Sequence, residues 1–263
     1  MTTTTNNTQK TTNKAASTAR APQGTFLWFE LRTPNLEKAS RFYGEVLGWK
    51  TQSVDMGGQV VTLFANAEKV VANVEARQGP SAFVSYVAVD DVDAAARRVA
   101  AAGGKVHGAP VDLPTVGRMV EVEDPEGAVF FLFRGVNDEA GQPRGPGGFL
   151  WNELWAHDTR KALAFLTSVL GYGIKEMPMG DITYHVLEKG TQSLAGVMPS
   201  MDKSIPSAWL PYVHVVDVDA ARARALQLGA QPLGEVMEVP GVGRMALMVD
   251  PLGARFAVMT PAR

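Results

Sequence analysis

Apolar residues along the chain follow a strand-like period of two in some short segments and a helical period in others. Residues 26–32 are rich in aromatic and branched side chains, which predicts a strand. Asn35 can cap a following helix that ends at Gly48. The apolar positions within this helix recur at helical spacing, and they are Ala39, Phe42, Tyr43, Val46 and Leu47.

The same order of elements returns further along the chain. Asp91 can cap a second helix, which ends at Gly103 and Gly104. Alternation and branched residues predict further strands at 60–64, 70–74, 83–89, 105–108, 118–122 and 129–133. A strand, a helix and more strands therefore occur twice, which predicts two related βαβββ units within the first half of the chain.

A longer repeat shows that the whole pattern is duplicated. Residues 26–31 (FLWFEL) recur at 149–154 (FLWNEL), and residues 116–119 (VGRM) recur at 242–245. This register is kept over a full module, which indicates an internal duplication. The predicted organisation is a disordered tail at 1–24, a first module at 25–134, a Gly- and Pro-rich linker at 135–148 and a second module at 149–263.

Composition limits the functional classes. The 263 residues are 46% hydrophobic and 20% charged with a net charge of −2, so neither a nucleic-acid nor an anionic-membrane partner is favoured. The absence of cysteine excludes disulfides and thiolate sites. The first residues contain no apolar stretch of a secretory signal, although Lys10, Lys14 and Arg20 without acidic residues leave a transit peptide as an alternative. We expect a cytoplasmic protein without a membrane span.

Three motifs carry a family resemblance. They are Phe-Tyr-x-x-x-Leu-Gly-Trp at 42–49, Val-Asp-Asp-Val-Asp-Ala-Ala at 89–95, and the turn Asp-Pro-Glu-Gly at 124–127. Residues 24–262 resemble the vicinal-oxygen-chelate superfamily of glyoxalases, bleomycin-resistance proteins and extradiol dioxygenases, in its tandem two-module bacterial subgroup. The resemblance implies an α+β fold in which each module forms a curled, incomplete barrel, with helices on its convex side and a ligand space on its concave side.

The resemblance also implies a test for a metal centre. Catalytic members of the superfamily hold a divalent metal with His, Gln or Glu side chains. The matching positions of this chain are Trp28, Val84 and Phe131 in the first module and Trp151, Leu210 and Ala257 in the second. None of these side chains can bind a hard or borderline cation. We therefore expect no metal and no other cofactor in either module.

The first strand of each module supplies the charged candidates. Alternation places Trp28 and Glu30 on one face of a strand, and Trp151 and Glu153 on the repeated one, and we expect that face to look toward the cavity or the partner module. A carboxyl group beside tryptophan should have a raised pKa and could act as a general base. Alternatively, each glutamate is a structural acceptor that bonds across the module interface.

Other side chains could contact a ligand. Arg118 and Arg244 could bind an anion, with a structural ion pair as the alternative. Aromatic side chains on predicted inward strands could stack on a flat ligand or fill the core, and they are Trp28, Tyr86, Trp151, Trp155, Trp209 and Tyr212. The residues present in the second module alone favour a pocket there, and they are Trp155, Tyr184, His185 and His214. Eight methionines of the second module predict core packing or an adaptable apolar pocket.

Three functional classes remain open. The first is metal-independent binding of a small aromatic or hydrophobic molecule, such as sequestration of a natural product. The second is an enzyme, a lyase, isomerase or hydroxylase, that transfers protons through Glu30, Glu153, His185 or His214. The third is an interaction protein whose concave space is filled by side chains. The expected partner is a small-molecule ligand, and the expected state is a monomer or a weak homodimer.

Overall fold

The computed structural model describes residues 21–55, 60–67, 69–136, 145–201 and 203–262. Residues 1–20 of the predicted tail and residues 137–144 of the predicted linker lie outside the described residues. Within the described ranges, none of the helices is both long enough and apolar enough to cross a bilayer.

The first module is one mixed sheet with two helices. Its elements are β1 (Phe26–Thr33), α1 (Leu36–Leu47), β2 (Lys50–Asp55), β3 (Val60–Asn66), β4 (Lys69–Ala76), β5 (Ala82–Ala88), α2 (Val92–Ala101), β6 (Lys105–Leu113), β7 (Gly117–Glu123) and β8 (Val129–Gly135). The strands lie in the order β2-β3-β4-β1-β5-β8-β7-β6. The first strands of the two βαβββ units, β1 and β5, thus pair antiparallel at the centre of the sheet.

The second module repeats this arrangement. Its elements are β9 (Phe149–Ala156), α3 (Thr159–Leu170), β10 (Gly173–Met179), β11 (Ile182–Lys189), β12 (Gln192–Pro199), β13 (Ala208–His214), α4 (Val218–Gln227), β14 (Gln231–Pro232), β15 (Met237–Val239), β16 (Gly243–Val249) and β17 (Arg255–Pro261). The order is β10-β11-β12-β9-β13-β17-β16-β14, and β15 pairs with β16. The predicted α+β fold of two tandem βαβββ-pair modules is therefore confirmed.

Capping residues fix where the helices begin and end. The Asn35 side chain accepts a hydrogen bond from the Lys38 amide, and Asp91, Asp158 and Asp217 cap the other three described helices in the same way. Helix α1 ends at Gly48, whose φ of 74° is a left-handed conformation that glycine adopts without a Cβ penalty. The helix starts predicted from Asn35 and Asp91 are confirmed.

One pair of strands was not predicted as such. Strands β2 and β10 are exposed along their whole length, so their sequences show neither an alternating nor a continuous apolar pattern. Both lie at the edge of their sheets and pair with a single neighbour, β3 or β11. Backbone hydrogen bonds to that neighbouring strand, rather than burial of apolar side chains, therefore hold β2 and β10 in place.

The helices lie between the two sheets. Helix α1 packs against α4, and α2 packs against α3, so each contact joins the two modules. The buried side chains accordingly form two large cores of mixed origin. One core combines the second half of the first module with the first half of the second, including Val99 and Leu166. The other contains Phe29 of β1 stacked on Phe149 of β9, with ring centroids 3.9 Å apart.

Residues 21–24 correct the predicted boundary of the tail. Ala21 is buried, and the Gln23 side chain donates a hydrogen bond to the Leu170 carbonyl at the end of α3. The Tyr172 hydroxyl donates to the Gly24 carbonyl at 2.6 Å. These residues therefore belong to the folded molecule, because their backbone and side chains satisfy polar groups of the second module.

Candidate functional site: a cavity in the second module

A cavity of about 480 Å³ opens on the face of the second sheet that points away from the helices. This volume lies within the usual range of small-molecule sites, roughly 300–1,000 Å³. Most of its lining is apolar. The lining side chains come from β9 to β17 and the loops between them, and they include Leu150, Trp151, Glu153, Tyr184, Val186, Ser193, Tyr212, Leu247 and seven methionines: Met177, Met179, Met198, Met201, Met237, Met245 and Met259.

Glu153 is the charged side chain of this lining, and it is 3% exposed. Its Oε1 accepts hydrogen bonds from the Trp155 indole at 2.7 Å and the Tyr212 hydroxyl at 3.1 Å. Its Oε2 accepts one from the Tyr184 hydroxyl at 2.8 Å. Burial raises the pKa of Glu153 above its usual range, although these three hydrogen bonds lower it. All three donors are neutral groups, and no cationic side chain of the described residues pairs with this carboxyl group.

A glycine gives Tyr184 its position. Gly196 on β12 pairs with Glu153 on β9, and a Cβ atom at Gly196 would lie 1.8 Å from the Tyr184 hydroxyl oxygen. The Tyr184 hydroxyl thus occupies the space that a side chain on β12 would otherwise take. There it accepts a hydrogen bond from the Trp151 indole at 2.9 Å and donates to Glu153. The chain of contacts from Trp151 to Glu153 depends on the missing side chain at Gly196.

The first module surrounds Glu30 with different groups. The Glu30 carboxylate accepts hydrogen bonds from the Arg32 Nε at 2.7 Å, the Asn73 amide at 2.8 Å and the Tyr86 hydroxyl at 2.8 Å. Asn73 takes the place of Tyr184, since its amide oxygen accepts the Trp28 indole hydrogen bond. Neither Glu30 nor Glu153 bonds across the module interface in these contacts. The interpretation of both as cross-interface acceptors is therefore wrong.

Larger and charged side chains occupy this face of the first module. Phe131 stacks on Tyr86 with ring centroids 4.3 Å apart, and the Arg32 guanidinium lies 5.3 Å from the Phe131 ring centroid. Arg32 also pairs with Glu121, and its Nε lies 3.2 Å from Glu75. The second module has Ala257 where the first has Phe131. The smaller side chain removes a ring from the equivalent position, and the cavity opens on that sheet.

The positions matched to the metal ligands of the superfamily do not form a metal centre. Trp28 donates a hydrogen bond to Asn73, and Val84 and Phe131 pack in an apolar cluster with Tyr86. In the second module, Trp151 lines the cavity, and Leu210 and Ala257 are buried in the apolar cluster below it. Within the described residues, no three His, Cys, Asp or Glu side chains are grouped so that they could hold a metal ion. The chain's own donor set does not fit the group that the fold family implies.

Arg118 and Arg244 do not line the cavity. Arg118 is paired with Asp93 at 2.8 Å, and Arg244 with Asp219 at 2.8 Å, at the first turns of α2 and α4. Because these arginines alternate with the inward residues of β7 and β16, their guanidinium groups point to the helices. The contacts of both arginines are those of the structural alternative, an ion pair.

His185 and His214 do not converge in the cavity. His185 follows the cavity residue Tyr184 on β11 and points to the opposite face, where its Nε2 lies 3.9 Å from Glu176. His214 ends β13 and exchanges backbone hydrogen bonds with Gly147 and Gly148. Neither side chain lines the cavity. The positions of the two side chains therefore do not fit a metal site built from both histidines.

Sequence reasoning left Gly196 and Asn73 unnoticed. Asn73 pairs with Glu30, and Gly196 pairs with Glu153 at the equivalent position of the second module. Because the two residues differ in type, the internal repeat does not draw attention to this position. A signal for Gly196 exists, namely a glycine within a strand, which often marks a close approach of another group. Of the eight methionines noted in the second module, Met248 is buried on the helix side, and the other seven line the cavity.

Comparison with known proteins places this geometry in a family. Residues 25–132 match the family described as "Glyoxalase/Bleomycin resistance protein/Dioxygenase superfamily". CFP32 of Mycobacterium tuberculosis, a provisionally named glyoxylase, is 35% identical over 252 residues, which cover 91% of this chain and 96% of that protein. The anthracycline biosynthesis protein DnrV of Streptomyces peucetius is 31% identical over 260 residues, which cover 91% of this chain and 94% of DnrV.

Solved structures show the same fold at lower identity. The Mn(II)-bound glyoxalase from Novosphingobium aromaticivorans aligns with a TM-score of 0.67 and 18% identity, over 91% of this chain and 83% of that one. The 2,3-dioxygenase LapB from Pseudomonas sp. KL28 aligns with a TM-score of 0.64 and 16% identity, over 92% and 94% of the two chains. With the motifs, the tandem βαβββ modules and the full-length relatives, the chain belongs to the glyoxalase/bleomycin resistance protein/dioxygenase superfamily.

Proposed function

We propose that this protein binds a small, largely apolar molecule in the second module without the help of a metal ion. The observation that carries the proposal is the cavity of about 480 Å³, lined by methionine, aromatic and aliphatic side chains around one buried carboxyl group. Apolar lining supplies affinity through burial, and a few polar groups fix the orientation of the ligand. Methionine side chains are unbranched and polarisable, so the cavity can adapt to flat ligands of different outline.

The relatives support an aromatic ligand. DnrV and the similar DauV of Streptomyces sp. are named anthracycline biosynthesis proteins, and both are 31% identical to this chain over 260 residues. Anthracyclines are flat polycyclic molecules with carbonyl and hydroxyl groups. A fused-ring ligand of this class can stack on the Trp151 and Tyr212 side chains, and it can direct one polar group to Glu153.

Binding can be tested with an anthraquinone as a neutral fused-ring probe. We expect saturable quenching of tryptophan fluorescence, because Trp151 lines the cavity. Met177→Lys should weaken binding tenfold or more by placing a charge at the cavity wall. Ile174→Lys is the matched control, since Ile174 is on the same strand and similarly exposed, 43% against 38% for Met177, but does not line the cavity. Equal effects of the two variants, or no saturable binding, would contradict the proposal.

Proton transfer by Glu153 is a second candidate function. It is favoured by one specific observation, a carboxyl group of raised pKa that lines a largely apolar cavity. Such a group can remove a proton from a carbon atom whose anion is stabilised by a ligand carbonyl, directly or through an aromatic ring, and return it. Anthrone, a tricyclic ketone with an acidic methylene group, offers a direct test. The wild-type protein should accelerate deuterium incorporation at that methylene in heavy water, and Glu153→Gln should not.

A further inference from the structure

A cationic side chain lies beside the glutamate of the first module, whereas the equivalent position of the second module holds a neutral one. In the first module, the Arg32 guanidinium lies 2.7 Å from the Glu30 carboxylate and over the Phe131 ring. In the second module, Trp155 replaces Arg32, and Ala257 replaces Phe131. These two differences remove both the Arg32 counter-ion and the Phe131 ring on which it lies. Glu153 is thus equivalent to Glu30 in position, but it has no arginine beside it and it borders the open cavity.

The hydrogen bonds of Glu153 leave room for one more donor. A carboxylate offers about four acceptor positions. The Trp155 indole and the Tyr212 hydroxyl use Oε1, and the Tyr184 hydroxyl uses one position on Oε2. In the first module, Oε2 of Glu30 accepts two hydrogen bonds, from Asn73 and Tyr86. Oε2 of Glu153 therefore has an acceptor position free for a group inside the cavity.

Among the residues that the structure describes, no cationic side chain lines the cavity near that position. The lining of the cavity, all of it within the described residues, contains Glu153 and no Lys, Arg or His side chain. Arg244 of β16 points to the helix side and is held by Asp219 and Glu238. Tryptophan and tyrosine side chains surround the carboxyl group instead, and aromatic faces attract cations.

From this comparison we propose that the ligand of the second module carries a protonated amine, which takes the place of the missing arginine beside Glu153. The inference rests on the proposed binding function and narrows its ligand class to hydrophobic or aromatic amines. The fused-ring or apolar body of such a ligand would contact the methionines, and its ammonium group would donate to Oε2. A cation in this position favours the ionised carboxyl group, so it offsets part of the cost of burying Glu153.

Two probes of the same shape separate the charge from the apolar body. These are 9-(aminomethyl)anthracene, whose amine is protonated at neutral pH, and 9-(hydroxymethyl)anthracene, which is neutral. We expect the wild-type protein to bind the amine at least tenfold more tightly in a fluorescence titration. Glu153→Gln should remove this preference, so that the two probes bind with similar affinity. Glu176→Gln is the matched control, because Glu176 is exposed on β10 and does not line the cavity.

A second variant keeps the test decisive if Glu153→Gln does not fold. Trp155→Arg restores the ion pair of the first module, and it should abolish the preference for the amine by competing for Glu153. Equal or tighter binding of the alcohol by the wild-type protein would overturn the amine inference and leave the proposed function standing. A preference that survives in Glu153→Gln or Trp155→Arg would equally overturn it. Binding of neither probe would overturn the proposed function together with the inference.

Discussion

Glu153 and Glu30 show how one residue type acquires two characters on the same fold. Both sit on the first strand of a module beside a tryptophan two residues earlier, and both accept a tyrosine hydroxyl, from Tyr212 or Tyr86. Arg32 turns Glu30 into part of an ionic cluster with Glu75 and Glu121. Without such a cation, burial dominates at Glu153 and favours its neutral form.

The raised pKa of Glu153 predicts how stability depends on pH. An unfolded chain titrates this carboxyl group near its usual value of 4.5, whereas the folded protein holds the proton to higher pH. Protonated Glu153 therefore contributes its full share of the unfolding free energy below about pH 4.5, and this contribution is lost as pH rises through the folded-state pKa. The difference in unfolding free energy between wild type and Glu153→Gln should fall over this window. Urea denaturation at a series of pH values measures it, and a difference that rises with pH would contradict the assignment.

The sequence predicted the inward face of the first strands because alternation is a local property. It placed Trp151 and Glu153 on one face, and both line the cavity. It could not place Tyr184 beside Glu153, because that contact crosses from β11 over β12 and depends on Gly196. The role of the arginines was not predictable from the sequence for another reason. An arginine after a Val-Gly pair looks alike whether it pairs with a ligand or, as Arg118 does, with the first turn of a helix.

At the level of elements, an edge strand without buried residues completes the cavity. Strand β10 is exposed throughout, yet Met177, Pro178 and Met179 line the cavity wall. Its register follows from its pairing with β11, where Met177 lies opposite Tyr184. Strands of this kind escape prediction from hydrophobic pattern, whereas α1 and α2 were predicted because caps and an apolar face agree there.

The close approach of the Tyr184 side chain to Gly196 can be tested by substitution of the glycine. Gly196→Ala places a Cβ atom where the Tyr184 hydroxyl lies, so Tyr184 must move and Glu153 loses a hydrogen bond. We expect a loss of about 1–3 kcal/mol in unfolding free energy, as for a buried polar group that loses its partner. Gly173→Ala is the control, because its Cβ would make an ordinary contact at 3.7 Å. An unchanged stability of Gly196→Ala in chemical denaturation would contradict this account.

For the whole molecule, the arrangement of helices makes the modules mutually dependent. The core that contains Val99 of α2 also contains Leu166 of α3, and the second core joins β1 to β9 through Phe29 and Phe149. Neither module therefore buries its helices alone. The duplication seen in the sequence predicted the number of modules, but not this exchange of core between their halves, since contacts between distant segments leave no local pattern.

A shared core predicts a single unfolding transition for both modules. Leu166→Ala should lower the unfolding free energy by about 2–5 kcal/mol, because Leu166 is fully buried between the sheets. Calorimetry should show one peak that shifts as a whole, although the substitution lies in the second module alone. Two peaks, only one of which responds to the substitution, would show that the modules unfold separately.

The helices between the sheets leave the two concave surfaces facing outward on opposite sides. Arg32 and Phe131 on one surface contact side chains of the first module, and Trp155 and Ala257 on the other contact side chains of the second. Each surface can therefore be changed independently, while the buried helices hold both modules in a common frame. Substitutions that change what the second module binds therefore need not disturb the ionic cluster of the first.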